Sequence, residues 1–283
     1  MKNFALIGLA VFLSAALFGR SARADWDCAR PVQTASGLVQ GHRMQEIPAC
    51  EWKGIPFAEP PVGELRWRAP RPAPAWEGAL VADKFGPICL QRGLTSAEKF
   101  TSESGMSEDC LYLNVWRPIA AGKLPVMVWV HGGGYTIGSA ETPMYWGDRL
   151  AVSGGLVVVS LNYRLNVFGF FASPSLRAED ENGAVGSYAT MDQAAAIRWV
   201  HDNIEAFGGD PERVTIFGES AGGWSICTML ATPLTRGLFH RTILESGGCE
   251  KSESLERGYE RAKVIYQRVG CKSGDLACLR QAP

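Results

Sequence analysis

Several patterns that would classify a protein quickly are missing from this sequence. No N-x-S/T glycosylation sequon occurs in its 283 residues, which favours a bacterial periplasmic or secreted protein over a eukaryotic glycoprotein. The chain has no cluster of basic residues, and this argues against a nucleic-acid-binding protein. Its 8 cysteines include no C-x-x-C pair, the spacing that zinc sites favour. With 46% hydrophobic and 20% charged residues, the composition is typical of a compact globular protein.

Long apolar runs are absent after residue 24, so we expect no membrane span in the remainder of the chain. The N-terminus has Lys2, an apolar run over 4–18 and the small-x-small pattern Ala22-Arg23-Ala24 of a secretory signal peptide. A membrane anchor is the alternative, but about 15 apolar residues are short for one. Cleavage after Ala24 removes 3 of the 28 basic residues and leaves 25 against 29 acidic ones, a net charge of −4. We therefore predict a signal peptide over 1–24 and an exported chain over 25–283, periplasmic or secreted.

Short apolar runs recur along the chain from residue 126 onward. Runs without polar alternation are typical of strands buried on both faces of a mainly parallel sheet, and they lie at 126–130, 156–161, 214–217 and 242–244. Between the second and third runs, Ile197, Val200, Ile204 and Phe207 repeat at helical spacing until "GGDP" ends the pattern. This alternation predicts an α/β fold, with the proline-rich first hundred residues wrapped around its outside.

The run "VTIFGESAGGWS" contains a G-x-S-x-G pattern at 218–222. "VTIF" is typical of a buried strand and "AGGWSICTMLA" of a helix, so Ser220 falls at the corner between them, as in a nucleophile elbow. Gly218 and Gly222 would let strand and helix approach closely at such a turn. A glycine-rich turn with an incidental serine is the alternative. We predict Ser220 as a nucleophile at the middle of the sheet.

A second motif, "HGGGY" at 131–135, directly follows the strand "PVMVWV". Loops of this kind donate backbone N–H groups to an oxyanion hole, where fixed amides stabilise the negative charge of an acyl-transfer transition state. We predict the amides of Gly133, Gly134 and Ala221 as the donors. His131 sits where the loop leaves the strand, and we interpret it as structural rather than as a base.

Together with other runs, these motifs resemble the type B carboxylesterases, the cholinesterase-like branch of the α/β-hydrolase fold. The resemblance extends from about Gly37 to the last residue and rests on "GIPFAEPPVGELRW", "SEDCLYLNVW", "HGGGY", "LNYR", "MDQAAAIRWVHDNIEAFGGDPERVTIFGESAGG" and "ESGG". It implies an α/β-hydrolase fold with a mainly parallel sheet flanked by helices. It also implies that Ser220 attacks a small carboxylic ester, without a metal or cofactor.

The resemblance further implies structural pairs that the residues alone do not specify. These are the disulfides Cys89–Cys110 and Cys271–Cys278 and the ion pairs Arg66–Glu108 and Arg164–Asp192. A bond between Cys28 and Cys50 is a weaker expectation, and Cys227 is expected to be a buried free thiol. Tyr135, Trp146 and Trp224 are expected to pack in or near the cleft, where they would either fill space or touch substrate.

One part of the expected site is missing. An α/β-hydrolase triad runs in the order Ser, acid, His, yet no acid lies between Ser220 and His240, the one later histidine. His42 and His201 lie upstream. Glu219 is not expected to replace a base, because adjacent side chains at such a turn point apart, and we expect it to stabilise the surroundings of the site. We therefore expect this chain to be the N-terminal part of an esterase whose acid and histidine lie in an absent second half. The alternative is a non-catalytic cholinesterase-like binding module or an inactive truncated product.

Overall fold

A computed structural model describes residues 26–91, 102–250 and 252–282. The predicted signal peptide lies outside the described residues. The described strands are β1 Val32–Gln33, β2 Leu38–Gln40, β3 His42–Arg43, β4 Ala49–Pro56, β5 Ala79–Val81, β6 Ile88–Cys89, β7 Met106–Ser107, β8 Tyr112–Pro118, β9 Leu124–Val130, β10 Val157–Leu161, β11 Gly209–Glu219 and β12 Arg241–Glu245. The described α-helices are α1 Asp148–Gly154, α2 Asn166–Phe170, α3 Pro174–Glu179, α4 Tyr188–Asn203, α5 Ala221–Ala231, α6 Leu255–Arg268 and α7 Leu276–Gln281.

A seven-stranded sheet in the order β12-β11-β9-β10-β8-β4-β3 forms the centre of the molecule. The four strands predicted from their apolar runs, β9 to β12, are mutually parallel. The other three strands pair antiparallel to their neighbours. Strand β11, which carries the predicted nucleophile at its end, lies second from the edge of the sheet in the described residues. The expectation that the elbow lies at the middle of the sheet is therefore wrong for these residues, because no described strand pairs with the outer side of β12.

Part of the proline-rich first hundred residues does not wrap the outside but enters the central sheet. Strand β4 pairs with β8, whose interior carries the polar residues Asn114 and Arg117, both nearly or fully buried. The Arg117 guanidinium donates to the carbonyls of Pro118 at 3.0 Å and Phe207 at 3.1 Å, and it stacks 3.8 Å from the ring of Trp26. Burial lowers the pKa of Arg117 to about 10. Buried polar groups of this kind interrupt the apolar run that would have identified β8 from sequence.

The helices cover both faces of the parallel strands. The chain moves from β9 to β10 in one direction along the sheet, and from β10 to β11 and from β11 to β12 in the other. Because such crossovers are right-handed, the intervening α1 lies on one face, while α4 and α5 lie on the opposite face. Helix α4 and the following 3₁₀ turn, Ile204–Phe207, confirm the predicted helix and its end at Gly208.

Two main clusters of buried apolar side chains hold these layers together. The larger cluster surrounds the central sheet and includes Val128, Val159 and Ile216, while a second joins Trp67 and Tyr188 to helices α6 and α7.

The ion pairs that the family resemblance implied connect separate segments of the chain. Arg164 Nη2 lies 2.6 Å from Asp192 Oδ1, and Arg66 pairs with Glu108. None of the helices in the described ranges has the length and apolar character needed to cross a membrane.

Candidate active site

Ser220 occupies the corner between β11 and α5. The strand ends at Glu219 and the helix begins at Ala221, so a single residue makes the turn. Its φ of 53° and ψ of −118° lie outside the regions that L residues favour, and such a conformation costs about 1–3 kcal/mol. Strain of this size persists where neighbours fix the residue. Here the Ser220 amide donates to the carbonyl of Glu245 in β12 at 2.8 Å. The predicted strand-turn-helix corner is thus present in the structure.

The two glycines that flank the serine allow very close backbone contacts. A Cβ atom on Gly222 would collide with the carbonyl oxygen of Val130 at the end of β9. A Cβ atom on Gly218 would lie 2.6 Å from the same oxygen and 2.9 Å from the carbonyl carbon of Gly222. Any larger residue at either position would therefore separate the strand from the helix.

The glycine loop that follows β9 packs directly against this corner. A Cβ atom on Gly132 would lie 3.3 Å from Cβ of Ser220. Gly133 and Gly134 adopt φ values of 104° and 60°, which turn the loop. In the ranges that the structure describes, the amides of Gly133, Gly134 and Ala221 donate to no protein acceptor. The site therefore offers unpaired N–H groups from the loop and from the positive end of α5.

Hydrogen bonds from the other side hold the loop in place. The Asn166 amide donates to the Tyr135 carbonyl at 2.9 Å, and Asn166 Nδ2 donates to the Thr136 carbonyl at 2.8 Å. Both Tyr135 and Asn166 have positive φ, 61° and 52°. Further along, the Gly138 amide donates to Oε1 of Gln91 at 2.8 Å. The loop is thus fixed by residues that no motif in the sequence had indicated.

A buried hydroxyl links the same loop to the first turn of α5. Gln193 Nε2 donates to Oγ of Ser225 at 2.9 Å, and Ser225 Oγ donates to the Ala221 carbonyl at 2.9 Å. The Tyr135 hydroxyl lies 3.3 Å from Ser225 Oγ. Burial raises the pKa of Tyr135, so this hydroxyl stays protonated at neutral pH. The loop and the helix start that carry the candidate N–H donors are therefore mutually braced.

His131 is buried under the loop and does not hydrogen-bond to Ser220. Its side chain is 1% exposed, and its ring stacks on Tyr163 with centroids 4.3 Å apart. Nδ1 lies 2.8 Å from the Gly132 carbonyl and must carry the proton, because that oxygen can only accept. Nε2 has no partner among the described residues, and burial lowers the pKa of His131 to about 4. A neutral ring in this position fits the structural interpretation of His131.

The other three histidines are engaged elsewhere. His42 Nε2 lies 2.8 Å from Glu51 at the far end of the sheet, and His201 pairs with its neighbour Asp202 on α4. His240 Nδ1 accepts from the Val214 amide at 3.3 Å. Across the described part of the chain, no histidine hydrogen-bonds to Ser220, and no group of three or more His, Cys, Asp or Glu could hold a metal ion.

The remaining residues assigned to the cleft separate into two groups. The rings of Tyr135 and Trp224 pack together with centroids 5.7 Å apart, next to the glycine loop. Trp146 instead packs on Phe85 at 5.7 Å and donates from its indole to a backbone carbonyl. Glu219 lies against Gly132, and burial, with a smaller contribution from the Glu219 charge, raises the pKa of Tyr145. The Glu219 carboxylate therefore lies next to the glycine loop.

The cysteines form four disulfides, and one of them corrects the sequence interpretation. The pairs Cys89–Cys110, Cys271–Cys278 and Cys28–Cys50 have Cα separations of 5.0, 5.8 and 5.2 Å. Cys227 is not a free thiol. It bonds to Cys249, with the Cα atoms 5.4 Å apart. The expectation failed because Cys249 lies beyond β12, and only the parallel pairing of β11 with β12 brings it beside α5.

Comparison with known proteins identifies the family to which this site belongs. The model of the Carboxylesterase family matches residues 29–283. This chain belongs to the carboxylesterase family. It is 44% identical over 247 residues to the para-nitrobenzyl esterase of Bacillus subtilis, an alignment that covers 87% of this chain and 49% of that protein. It is also 44% identical over 256 residues to the fumonisin B1 esterase of Sphingopyxis macrogoltabida, covering 88% and 46%.

Solved structures of the carboxylesterase family agree with the fold described above. A structure titled thermophilic PNB esterase superimposes with a TM-score of 0.82 at 41% identity, covering 90% of this chain and 52% of that one. The expected α/β-hydrolase fold is confirmed by these neighbours. The chain spans about half the length of the relatives that it matches.

Proposed function

We propose that this chain supplies the nucleophile and the oxyanion donors of a carboxylic ester hydrolase. In this proposal Ser220 is the nucleophile, and the amides of Gly133, Gly134 and Ala221 bind the oxyanion. The strained conformation of Ser220 at the start of α5, with the glycine loop packed against it, is the observation that carries the proposal. The substrate is a small carboxylic ester, because the relatives of this family are named as esterases.

The proposed reaction divides into two acyl transfers. The hydroxyl oxygen of Ser220 attacks the carbonyl carbon of the ester, and the carbonyl electron pair moves onto oxygen. Preorganised N–H donors at that oxygen are worth about 3 kcal/mol each in comparable sites. Loss of the alcohol then leaves an acyl-serine, which water hydrolyses in the second step.

The proton of Ser220 must move to a base before or during attack. The four histidines of the chain make other contacts, and His131 is buried and neutral with its ring stacked on Tyr163. We therefore propose that neither the base nor its acid partner lies within these 283 residues. A serine site without its histidine retains about 10³–10⁴-fold acceleration over water in model enzymes. We expect a residual rate of that size at most.

The same lack of an imidazole favours a second candidate, a cholinesterase-like module that binds a partner without catalysis or an inactive product. With either function, we propose that the chain is exported, to the periplasm or beyond, after cleavage of residues 1–24. Four disulfides among the described residues support export, because such bonds persist in oxidising compartments.

Chemical rescue separates the two candidates. We expect added imidazole, a soluble base, to accelerate the hydrolysis of p-nitrophenyl acetate by the purified chain beyond the imidazole-only background. The acceleration should vanish in Ser220→Ala, whereas Thr228→Ala, an exposed change on the same helix, should keep it. Circular dichroism of each variant checks that the fold is retained.

Two results would contradict the proposal. If the chain and Ser220→Ala give equal rates at every imidazole concentration, Ser220 is not a nucleophile and the binding module is favoured. If Ser220-dependent turnover reaches several per second without imidazole, on the order of ordinary enzyme turnover, the chain contains a base. His131→Gln and His201→Gln would then identify which histidine acts.

A further inference from the structure

The Cys227–Cys249 disulfide is unexplained by the sequence motifs and by the ester chemistry. It joins α5, the helix that begins beside Ser220, to the segment that follows β12. The two cysteines are 22 residues apart in sequence. Cys227 is half-buried, and Cys249 is the one exposed cysteine in the described ranges. The bond is therefore a covalent cross-link close to the elbow, and the residue at its outer end, Cys249, is exposed to solvent.

The segment that this disulfide holds forms the support beneath Ser220. The Ser220 amide donates to the Glu245 carbonyl at 2.8 Å, which joins the elbow to the end of β12. Two residues later, a Cβ atom on Gly247 would lie 2.6 Å from the carbonyl oxygen of Ser220. A Cβ atom on Gly223 would lie 3.0 Å from the Cα atom of Gly247. Backbone thus packs directly on backbone beneath the first turn of α5.

Close packing of this kind requires glycine, and glycine also makes the segment flexible. Gly247 and Gly248 are consecutive, and a pair of glycines loses more conformational entropy on ordering than other residues. Residues 246–250 make no hydrogen bond to the rest of the described chain. Strand β12, which precedes them, has alternating exposed side chains and no described partner on its outer side. Residues 246–250 are therefore held by packing and by the disulfide, without a hydrogen bond to the rest of the described chain.

We propose that the Cys227–Cys249 disulfide is a positioning device that holds residues 245–249 against α5 and so keeps Ser220 in its strained conformation. This inference rests on the proposed role of Ser220 as nucleophile. Reduction by a dithiol breaks the Cys227–Cys249 bond. The dithiol gives up two electrons and two protons and becomes a disulfide, while Cys227 and Cys249 become thiols. The support then moves away from the elbow, and the serine relaxes.

Hydrogen–deuterium exchange tests the positioning role of the Cys227–Cys249 disulfide without requiring catalytic turnover. Mass spectrometry would follow peptides covering 218–224 and 245–250 in the oxidised chain, in Cys227→Ala/Cys249→Ala and in Cys271→Ala/Cys278→Ala. We expect exchange of the 218–224 peptide, which contains the hydrogen-bonded Ser220 amide, to rise by about tenfold or more in the first variant, since a cross-link over a loop of this size strongly restricts local opening. The 245–250 peptide serves as an unprotected reference, because residues 246–250 make no hydrogen bond in the described chain. The Cys271 variant lacks a disulfide in the other core cluster and should exchange like the oxidised chain at the elbow.

An internal reference distinguishes local release from general loss of stability. Peptides from α4, over 194–200, lie in the main core and should be unchanged in the first variant. Equal acceleration in α4 and at the elbow, or no acceleration at the elbow, would overturn the proposal. Limited reduction of the native chain, followed by alkylation of Cys249, should reproduce the effect of the double variant, and reoxidation of a reduced sample that has not been alkylated should reverse it. If both leave the elbow unchanged, the positioning role is refuted.

Hydrolysis provides a separate readout. In the imidazole-rescued assay, loss of the disulfide should lower kcat about tenfold or more with little change in KM, since a displaced nucleophile weakens the chemical step rather than substrate binding. If exchange at the elbow depends on the disulfide but the chain shows no Ser220-dependent hydrolysis, the proposed function is refuted and the positioning role of the disulfide is not. Unchanged kcat with normal elbow exchange would refute the device alone.

Discussion

Lowering the pH from 7 to 4 perturbs the buried His131 directly. Its ring stacks on Tyr163, and burial lowers its pKa from the ordinary value of 6.5 to about 4. The unfolded chain keeps the ordinary value, so the unfolded state takes up the proton first as the pH falls. The stabilisation associated with the neutral ring is therefore complete above pH 6.5, declines between about 6.5 and 4, and is lost below about pH 4.

The expected loss of stability is large. A difference between 6.5 and about 4 corresponds to about 3 kcal/mol at about 1.4 kcal/mol for each pKa unit. Domains are stable by only about 5–15 kcal/mol in total. The structure gives the cause: protonation would place an N–H donor at Nε2, which has no partner among the described residues. The charge would also be buried where water cannot reach it.

Urea denaturation followed by tryptophan fluorescence measures this loss. The free energy of unfolding would be determined at several pH values between 7 and 4 for the chain, for His131→Gln and for His201→Gln. Carboxylates titrate in the same range, so the difference between the chain and His131→Gln isolates the contribution of His131. We expect that difference to shift by about 3 kcal/mol across the range, and His201→Gln to follow the unmodified chain. Parallel curves for the chain and His131→Gln, within about 0.5 kcal/mol, would refute the reasoning.

Two further substitutions probe the frame around the site. Asp192→Ala leaves the Arg164 guanidinium buried without its carboxylate and should lower the free energy of unfolding by about 3–5 kcal/mol. The control Asp202→Ala, at an exposed position, should change the free energy of unfolding by less than about 0.5 kcal/mol. Similar urea midpoints for the two variants would contradict this expectation. Gly222→Ala places a methyl group against the Val130 carbonyl and should cost about 1–3 kcal/mol of stability. It should also slow imidazole-rescued hydrolysis by about 10²-fold, and an unchanged rate would show that the close approach of strand and helix does not position the serine.

The parts of the fold that the sequence predicted are those that local patterns determine. Continuous apolar runs identified β9 to β12, and the spacing of Ile197, Val200 and Ile204 identified α4 together with the 3₁₀ turn that ends at the following glycine. Ser220 could be placed at a corner because strand, turn and helix follow one another directly within residues 214–231. Each of these features depends on the chemistry of neighbouring residues, so a single sequence is sufficient to reveal it.

The antiparallel half of the sheet could not be predicted in this way. Strand β8 buries Asn114, which accepts from the Gly54 amide at 2.9 Å and donates to Ser160 Oγ at 3.1 Å. It also buries Arg117, whose carbonyl partners include the distant Phe207. These polar residues are stable in the core only because their partners are present, and partners distant in sequence leave no periodic signal. Proline-rich neighbours further obscured β4.

In the candidate site, too, some features follow from local sequence and others only from long-range packing. The serine and the N–H donors come from two turns, and the conformation of each turn is set by glycines within a few residues. The bracing of these turns, by Asn166 and by Ser225 with Gln193, arises only when separate elements meet. The pairing of Cys227 with Cys249 likewise depends on β12 lying beside β11. Local sequence therefore specifies which groups could react, while long-range packing specifies how rigidly they are held. Removal of the Cys227–Cys249 bond should consequently let Ser220 relax from its strained conformation, while the order of strand, turn and helix that its own neighbours encode is kept.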